Sequence, residues 1–381
     1  MDNLSYKLNK KSLAIFFTLK GKSLEEWKKI GILEREILLY FELAKYFKNL
    51  VIFTYGSKKD LEIAKDFPLN IKVIPNNTFL PKILYSFLLP LIHRKLLKNT
   101  DILKTNQMDG SWTAVIAKKW FKNKLIVRCG YEWLNFLERG HRQRWKIIFA
   151  KLAERFAYNN ADKIVITTEE DKSFILNRFK IKNEKVEVIP NYIDTNLFKP
   201  LGILKEKNRI LFLGRFEKQK NVISLMNAMS GISAELVMIG KGSQLKELHD
   251  IAKKNNIRVN FLGNIKQREI PLELNKSEIF IFPSLYEGNP KALLEAMSCG
   301  VACIGARSPG INNIIMDGEN GILCEVDSES IKEKIKYVLG DKNLRDKIGL
   351  TARKTVLDNF SLIKVLEKEI GLYESLHEKY I

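Results

Sequence analysis

Cysteine and histidine are scarce in this chain of 381 residues, which excludes several kinds of site. The four cysteines form no C-x-x-C pair, which argues against a disulfide framework or a zinc site and predicts buried, reduced thiols in a cytosolic protein. The four histidines are scattered without an H-x-x-x-H spacing, so we assign none of them to a metal or to catalysis. These residues are Cys129, Cys299, Cys303, Cys324, His93, His141, His249 and His377.

Long apolar runs are also missing. No stretch of about 18 residues is free of charge, so we predict no transmembrane helix. The N-terminus has no apolar segment followed by a small-residue cleavage site, which argues against a secretory signal peptide.

Acidic residues are in deficit, and the formal net charge is +20. Residues 1–200 contain 37 Lys and Arg against 21 Asp and Glu, or +16, whereas the remainder contains 27 against 23, or +4. A basic field of this kind favours a nucleic acid, an anionic membrane surface or an anionic substrate.

Strand-like apolar runs alternate with helical patterns along most of the chain, which predicts parallel sheets covered on both faces. The length exceeds the roughly 250–300 residues of a single core, so we expect two domains. A segment rich in Pro, Asn and Asp at 189–200 is typical of a connection between domains. The sequence therefore predicts an α/β protein with two Rossmann-like, doubly wound domains.

The segment at 278–300 is the most informative one, because a strand-like run is followed by a loop and a helical pattern. Asn289 can cap this helix, and Pro290 can occupy its first position, where a missing N–H costs nothing. The amides and dipole at the start of such a helix favour a phosphate. Two carboxylates, Glu287 in the loop and Glu295 on the helix, accept hydrogen bonds only, which indicates a ligand rich in hydroxyls.

A second loop of the same kind follows the predicted strand at 210–213. Gly214 allows close backbone approach, Arg215 offers a planar fork of donors to phosphate oxygens, and Lys220 offers a compact charge. An ordinary basic loop with solvated charges is the alternative interpretation. Both loops follow strands of one predicted sheet and face the same edge, which favours a shared phosphate site.

Three groups of residues together resemble the retaining glycosyltransferases with a double-Rossmann architecture. They are Gly214-Arg215 with Lys220, Glu287-Gly288-Asn289-Pro290 with Glu295-Ala296, and Val188-Ile189-Pro190-Asn191 with Asp194 and Phe198. The resemblance is closest to the group-4 type (glycosyl transferases group 1), which builds bacterial polysaccharides and glycolipids. It spans residues 186–360 well and the first half of the chain only loosely. The two glutamates separated by seven residues are its most specific feature.

The resemblance implies the GT-B fold, in which two Rossmann-like domains face each other across a cleft. It implies an acceptor-side domain at 1–198 and a domain at 199–360 that binds the donor, a nucleotide-diphosphate sugar. It also implies that a C-terminal helix at 361–381 packs back on the first domain. The acceptor would be a glycan or a lipid-linked sugar.

The resemblance also implies roles for single residues, and we assign catalysis to Arg215, Lys220 and Glu287. Arg215 and Lys220 would hold the donor diphosphate, and Glu287 would bind hydroxyls of the transferred sugar. Glu295 would bind the ribose. The other donor-side residues implied are Gly214, Gly288, Asn289, Pro290, Lys291 and, beside the base, Asn264.

The chemistry expected of these residues needs no metal. Cleavage of the anomeric bond places negative charge on the departing diphosphate, where Arg215, Lys220 and the helix amides would stabilise it. No Asp-x-Asp pair of the kind that metal-dependent transferases use is present. We therefore predict metal-independent transfer with retention, without a cofactor. The acceptor would attack from the face that the diphosphate leaves, and the leaving phosphate would take its proton.

The chain departs from the family pattern in three places. Lys20-Gly21-Lys22-Ser23 replaces an N-terminal Gly-Gly loop, and Asn312-Asn313 stands where a Glu is usual. The run Val127-Arg128-Cys129-Gly130-Tyr131-Glu132 lacks the usual His. Gly21, Arg128, Tyr131 and Glu132 are our candidates for the acceptor side, and packing or a surface ion pair is the alternative for the last three.

Two segments that are both basic and apolar, at 79–98 and 139–156, are typical of helices that lie on anionic lipid. Core-packed helices with solvated basic faces are the alternative. We expect a cytoplasmic protein that is peripheral at the inner membrane face.

Two other functions remain open. A nucleic-acid-binding protein would explain the charge, but the chain has no zinc finger, no RNP-like motif and no suitable Gly-x-x-Gly clamp, so we expect no nucleic-acid partner. A sugar-nucleotide epimerase would use the same two-domain cleft and would act without an acceptor.

Overall fold

The computed structural model describes residues 8–19, 23–130 and 144–376. The chain divides into two compact units, one running to Pro190 and resuming at Leu366, the other running from Asn191 to Val365. Each unit is built on one open sheet whose strand pairs are all parallel. The predicted fold class, two Rossmann-like α/β domains, is confirmed.

The sheet of the first unit has seven strands in the order β3-β2-β1-β4-β5-β6-β7. Its central strand is buried on both sides, because Leu13, Ala14 and Ile15 are all inaccessible to solvent. Leu13 pairs with Leu50 on one side and with Ile102 on the other. The strands are β1 (Ser12–Phe16), β2 (Asn49–Phe53), β3 (Ile71–Ile74), β4 (Ile102–Thr105), β5 (Lys124–Arg128), β6 (Lys163–Ile166) and β7 (Val186–Val188).

The sheet of the second unit has six strands in the order β10-β9-β8-β11-β12-β13. Alternate residues of its central strand enter two separate cores, Ile210 and Phe212 on one face and Leu211 on the other. Helices therefore cover both faces, as expected for a parallel sheet. The strands are β8 (Arg209–Leu213), β9 (Glu235–Ile239), β10 (Val259–Gly263), β11 (Ile279–Phe282), β12 (Ala302–Ala306) and β13 (Ile322–Cys324).

The described helices begin at polar caps in several places, such as Thr168, Asp327 and Asp341, whose side chains accept hydrogen bonds from first-turn amides. In the first unit they are α1 (Leu24–Lys29), α2 (Leu33–Ala44), α3 (Lys59–Ile63), α4 (Lys82–Ile92), α5 (Arg94–Lys98), α6 (Ser111–Phe121), α7 (Arg144–Asn160) and α8 (Glu169–Phe179). From the second unit onward they are α9 (Val222–Ala228), α10 (Leu245–Lys254), α11 (Ile270–Lys276), α12 (Lys291–Ser298), α13 (Ser328–Gly340), α14 (Lys342–Asn359) and α15 (Leu362–Ser375). None of the helices in the described ranges is long and apolar enough to cross a membrane.

The structure corrects some of the predicted elements. The helical pattern of residues 25–47 predicts one helix, but the structure has two, α1 and α2, because the chain turns at Gly31, whose φ of 76° is left-handed. The helical pattern of residues 80–97 also predicts one helix, and the structure divides it at His93 into α4 and α5. Strand β13 was not predicted, since its three residues are too short a run to show a period.

The connection between the units is shorter than the sequence suggested. The first boundary falls after Pro190 rather than after residue 198, and the second falls after Val365 rather than after residue 360. The physical reason is that Ile193 and Phe198 are buried in a core of the second unit. Arg353 of α14 also donates hydrogen bonds to the carbonyl oxygens of Phe198, at 2.6 Å, and Thr195, at 3.2 Å.

Replacing Phe198 with alanine tests this boundary. Phe198 is 1% exposed, so Phe198→Ala should leave a cavity and lower the unfolding free energy of the second unit by about 3–5 kcal/mol. Leu204→Ala is the matched control, because Leu204 lies in the same segment and is 95% exposed, and it should cost less than about 0.5 kcal/mol. Urea unfolding measures both. Equal, small losses would show that residues 191–198 do not belong to the second core.

Candidate functional site

The two loops singled out in the sequence begin at the point where the strand order of the second sheet reverses. From β8 the chain proceeds outward to β9 and β10 on one side, and β11 starts the other side. In a doubly wound sheet a crevice opens at this switch point, beyond the carboxyl ends of the strands. The loop after β8 and the loop after β11 both leave the sheet there.

Hydrogen bonds join these loops directly. The amide of Leu285 donates to the carbonyl oxygen of Gln219 at 2.9 Å, and the Gln219 side chain donates to the carbonyl oxygen of Tyr286 at 2.8 Å. The two predicted anion-binding segments therefore form one continuous surface.

Lys220 and Glu287 form an ion pair with each other across these loops. Their side chains are only 12% and 10% exposed, and the Lys220 ammonium also lies 4.9 Å from the centre of the Phe282 ring. Sequence reasoning assigned both residues to the site but missed their contact, because 67 positions separate them. The pair fixes the ammonium at the switch point.

Arg215 is exposed at the same edge, and within the described ranges its guanidinium has neither an ion pair nor a hydrogen bond. Its neighbour Glu217 is held elsewhere, accepting from the Ser243 amide at 3.0 Å and from the Ser243 hydroxyl at 2.7 Å. These hydrogen bonds, with a smaller contribution from the charge of Arg215, lower the pKa of Glu217 below its ordinary value. Arg215 therefore keeps all its donors available for a ligand.

Glycines allow the neighbouring loops to close against this surface. A Cβ on Gly240 would lie 1.9 Å from the carbonyl oxygen of Gly214, and one on Gly310 would lie 2.2 Å from that of Glu287. Both glycines also have positive φ, 139° and 82°. No larger residue fits without moving the backbone of the two predicted anion-binding loops.

Asn289 does not cap the helix that follows it, contrary to the prediction. Its side-chain oxygen accepts from the Asn191 amide at 2.9 Å, and its carbonyl oxygen accepts from the Asn191 side chain at 3.0 Å. Pro290 occupies the N-cap position instead of the first helical position, so the helix begins at Lys291, one residue later than predicted. Pro290 offers no side-chain hydrogen bond to the helix. Pro290 therefore supplies no side-chain cap for the amides at the start of α12.

The remaining donor-side candidates surround this point. Glu295 is 2% exposed on α12, and Lys291 lies four residues before it, on the same face of the helix. Gly288 is half-buried in the loop between Glu287 and α12. Asn264 is exposed immediately after β10, next to the Gly240 loop, whose amide donates to the carbonyl oxygen of Gly263 at 2.8 Å.

The acceptor-side candidates lie in the first unit, and the structure describes one of them. Arg128 ends β5, and its guanidinium lies 3.5 Å from Glu369 of α15. Glu369 is fully buried and pairs with the buried ammonium of Lys104, which also donates to the Tyr373 hydroxyl at 3.1 Å. Burial lowers the pKa of Lys104 and raises that of Tyr373. Gly21, Tyr131 and Glu132 lie outside the described residues.

The four cysteines are free and buried, which confirms that prediction. Burial raises the pKa of the Cys299 and Cys324 thiols to about 12, so these thiols are not nucleophiles at neutral pH. Within the part of the chain that the structure covers, no three His, Cys, Asp or Glu side chains are grouped as metal ligands.

Comparison with known proteins matches both halves of the chain to glycosyltransferase families. Residues 194–355 match the family described as "Glycosyl transferases group 1", and residues 40–197 match "Glycosyltransferase Family 4". The first half, which resembles the family only loosely by its motifs, thus has a family match of its own.

Two curated relatives carry sugar-transfer or sugar-conjugate names. N-acetyl-alpha-D-glucosaminyl L-malate synthase of Bacillus anthracis is 31% identical over 51% of the chain and 54% of its own length. UDP-Gal:alpha-D-GlcNAc-diphosphoundecaprenol alpha-1,3-galactosyltransferase of Escherichia coli is 29% identical over 62% of the chain and 66% of its own length. The chain therefore spans about half to two thirds of the length of these relatives.

The fold itself has solved counterparts. The structure of HepE from Anabaena in complex with UDP aligns with a TM-score of 0.77 and 16% identity, covering 96% of this chain and all of that one. At that identity the likeness concerns the fold.

Replacing Gly240 with alanine tests the packing of the predicted anion-binding loops. Gly240→Ala should lower the unfolding free energy by about 3 kcal/mol, because the new Cβ strains φ and strikes the Gly214 carbonyl. Gly231→Ala is the matched control, since Gly231 has a φ of 73° but only the Lys332 ammonium within 4 Å. Its loss should be about 1–2 kcal/mol. Chemical unfolding measures both variants. Equal losses of unfolding free energy would mean that the close approach of Gly240 to the Gly214 carbonyl does not contribute to stability.

Proposed function

Since the chain belongs to the group 1 and family 4 glycosyltransferases of GT-B fold, we propose that it transfers a sugar from a nucleotide-diphosphate sugar to a glycan or lipid-linked acceptor in the synthesis of a bacterial surface polysaccharide or glycolipid. The observation that supports the proposal is the ion pair of Lys220 with Glu287, which joins the loop that carries Arg215 to the loop that leads into α12 at the switch point of the second sheet.

The donor diphosphate would lie between Arg215 and Lys220, against the amides at the start of α12. An ammonium has three donors, so Lys220 can keep Glu287 and still donate to a phosphate oxygen. Glu287 uses one carboxylate oxygen for Lys220, which leaves the other for a sugar hydroxyl. Glu295, on the same helix, would accept from the ribose hydroxyls.

The reaction breaks the bond between the anomeric carbon and the diphosphate oxygen and forms a bond from that carbon to the acceptor oxygen. Negative charge grows on the departing diphosphate, and Arg215 and Lys220 stabilise it without a metal. The acceptor attacks from the face that the diphosphate leaves, its proton passes to a phosphate oxygen, and the anomeric configuration is retained. No side-chain nucleophile is assigned.

The acceptor would bind to the first unit, near Gly21, Arg128, Tyr131 and Glu132. The E. coli relative is named for a diphosphoundecaprenol-linked acceptor, which supports a lipid-linked acceptor here. The contact of Arg128 with buried Glu369 argues that this arginine orders the edge of the site rather than reacting. We place the protein in the cytoplasm, where its four free thiols are stable.

Both family matches favour a transferase over an epimerase or a nucleic-acid-binding protein. The described ranges also offer no metal-ligand group of the zinc-finger kind. The epimerase would turn over a sugar nucleotide without any acceptor, and the transferase would not.

Ligand-induced stabilisation tests the donor class and the absence of a metal together. UDP is the first nucleotide to use, because the structure of HepE contains it. A nucleoside diphosphate at about 100 times its Kd should stabilise the fold by about 2.7 kcal/mol, and EDTA should not change the shift. Uridine, which lacks the diphosphate, is the control. A shift abolished by EDTA, or the same shift with uridine, would contradict the proposal.

Kinetics of two variants separate binding from transfer. Glu295→Gln should raise the donor Kd about 10- to 100-fold, because a charged acceptor is lost from the ribose. Lys220→Met should lower kcat roughly 100- to 1,000-fold with a smaller change in Kd, because its charge acts on the departing diphosphate. Isothermal titration and initial-rate assays measure the two constants.

The control for Lys220 is Lys218→Met, an exposed lysine of the same turn, which should keep normal rates. The double variant Lys220→Met/Glu287→Gln avoids leaving Glu287 charged without its partner. It should fold normally and still lack transfer, whereas normal transfer in this variant would refute the site assignment.

A further inference from the structure

Helix α7 in the first unit presents several bulky apolar side chains to solvent, whereas its alanines and Tyr158 face the core. Ala150 and Ala157 are fully buried. Ile148, Leu152 and Phe156 are 59%, 62% and 37% exposed. A surface helix that packs only on its own domain shows the opposite arrangement, with apolar residues inward and polar residues outward.

Helix α4 has the same outward stripe. Ile83, Phe87 and Leu91, four residues apart along one side of the helix, are all exposed, while Tyr85 and Leu89 on the other side are fully buried. The outward side of α4 is thus apolar, although the side chains on its inward side already pack in the core.

Helix α6 lies between α4 and α7 and joins the two stripes. The Trp112 ring stacks on Phe87 with centres 5.9 Å apart, and the Phe149 ring meets it edge-on at 6.2 Å. The Trp112 indole N–H donates to the Ser86 hydroxyl at 2.9 Å, which fixes the ring. We call this continuous surface the apolar face, formed by Ile83, Phe87, Leu91, Trp112, Ile148, Phe149 and Leu152. Contiguous exposed apolar surface of this kind marks an interaction site.

The described helices that form the apolar face expose charged side chains of one sign. No Asp or Glu occurs from residue 67 to residue 100 or within α6, and the single acidic residue of α7, Glu154, is fully buried. Lysines and arginines are exposed on the same helices. They are Lys82, Arg94, Lys95, Lys98, Lys119, Arg144, Lys151 and Arg155.

We propose that the apolar face docks on an anionic lipid bilayer, with its Ile, Leu and Phe side chains at the acyl boundary and the flanking Lys and Arg against lipid phosphates. Exposed apolar side chains and cations on one helix face are the features that interfacial binding requires. A second copy of this chain is disfavoured as the occupant, because the two basic rims would repel each other. The docking involves only the first unit and needs no sugar transfer. It can therefore be tested independently of the proposed function.

Co-sedimentation of the full chain with vesicles tests the proposal. Binding should be strong to vesicles of phosphatidylglycerol mixed with phosphatidylcholine, weak to phosphatidylcholine alone, and reduced by salt. The variant I148S/L152S should bind at least about tenfold more weakly. The variant K151Q/R155Q should bind roughly fivefold more weakly for each charge removed and should lose part of the salt dependence.

The matched control is L204S/L350S, which removes two leucines that are 95% and 74% exposed in the second unit and should bind as the unchanged chain does. All these side chains are exposed, so melting temperatures should stay constant. Unchanged binding by I148S/L152S, or equal binding to neutral vesicles, would overturn the proposal. So would a dimer in sedimentation velocity that I148S/L152S dissociates, since the apolar face would then be covered by a second copy.

Discussion

The ion pair between Lys220 and Glu287 connects the two loops that follow β8 and β11 at the switch point of the second sheet. The pair is nearly excluded from water, so each charge depends on the other for compensation. The backbone hydrogen bond from Leu285 to Gln219, and the close approaches of Gly240 to Gly214 and of Gly310 to Glu287, depend on the same loop positions. The loop that carries Arg215 and the loop that leads into α12 are therefore held against each other.

Much of this arrangement is local and can be predicted from the sequence. Short apolar strands alternating with helices define the sheets, and the polar residues after β8 and β11 mark the edge that carries the site. Parallel strands place their carboxyl ends at one edge of the sheet. The proximity of two loops nearly 70 residues apart can therefore be predicted from the sequence alone. The family motifs add roles that composition alone could not supply.

The features that could not be predicted from the sequence depend on contacts between residues far apart in the chain. Asn289 has the right type and position for a helix cap, yet its side chain bonds to Asn191, almost 100 residues away. Phe198 lies in a segment that resembles a linker, but its burial assigns it to the second core. The buried pair of Lys104 and Glu369 joins β4 to the last helix, and no local pattern around either residue indicates it.

The candidate donor site and the basic, apolar surface lie on different units. The second unit carries cations and carboxylates, among them Lys220 and Glu287, at the edge of its sheet. Most of the positive charge lies in the first 200 residues, around helices whose outward sides are apolar. The proposed transfer from a water-soluble donor to a lipid-linked acceptor would use both kinds of surface, and here they occur on separate units.

The most direct test of the central claim is a crystal structure of the chain with UDP. The account predicts diphosphate oxygens within hydrogen-bonding distance of Arg215 and Lys220, with the ribose hydroxyls donating to Glu295. A nucleotide bound at another edge, or a diphosphate out of reach of both cations, would contradict it.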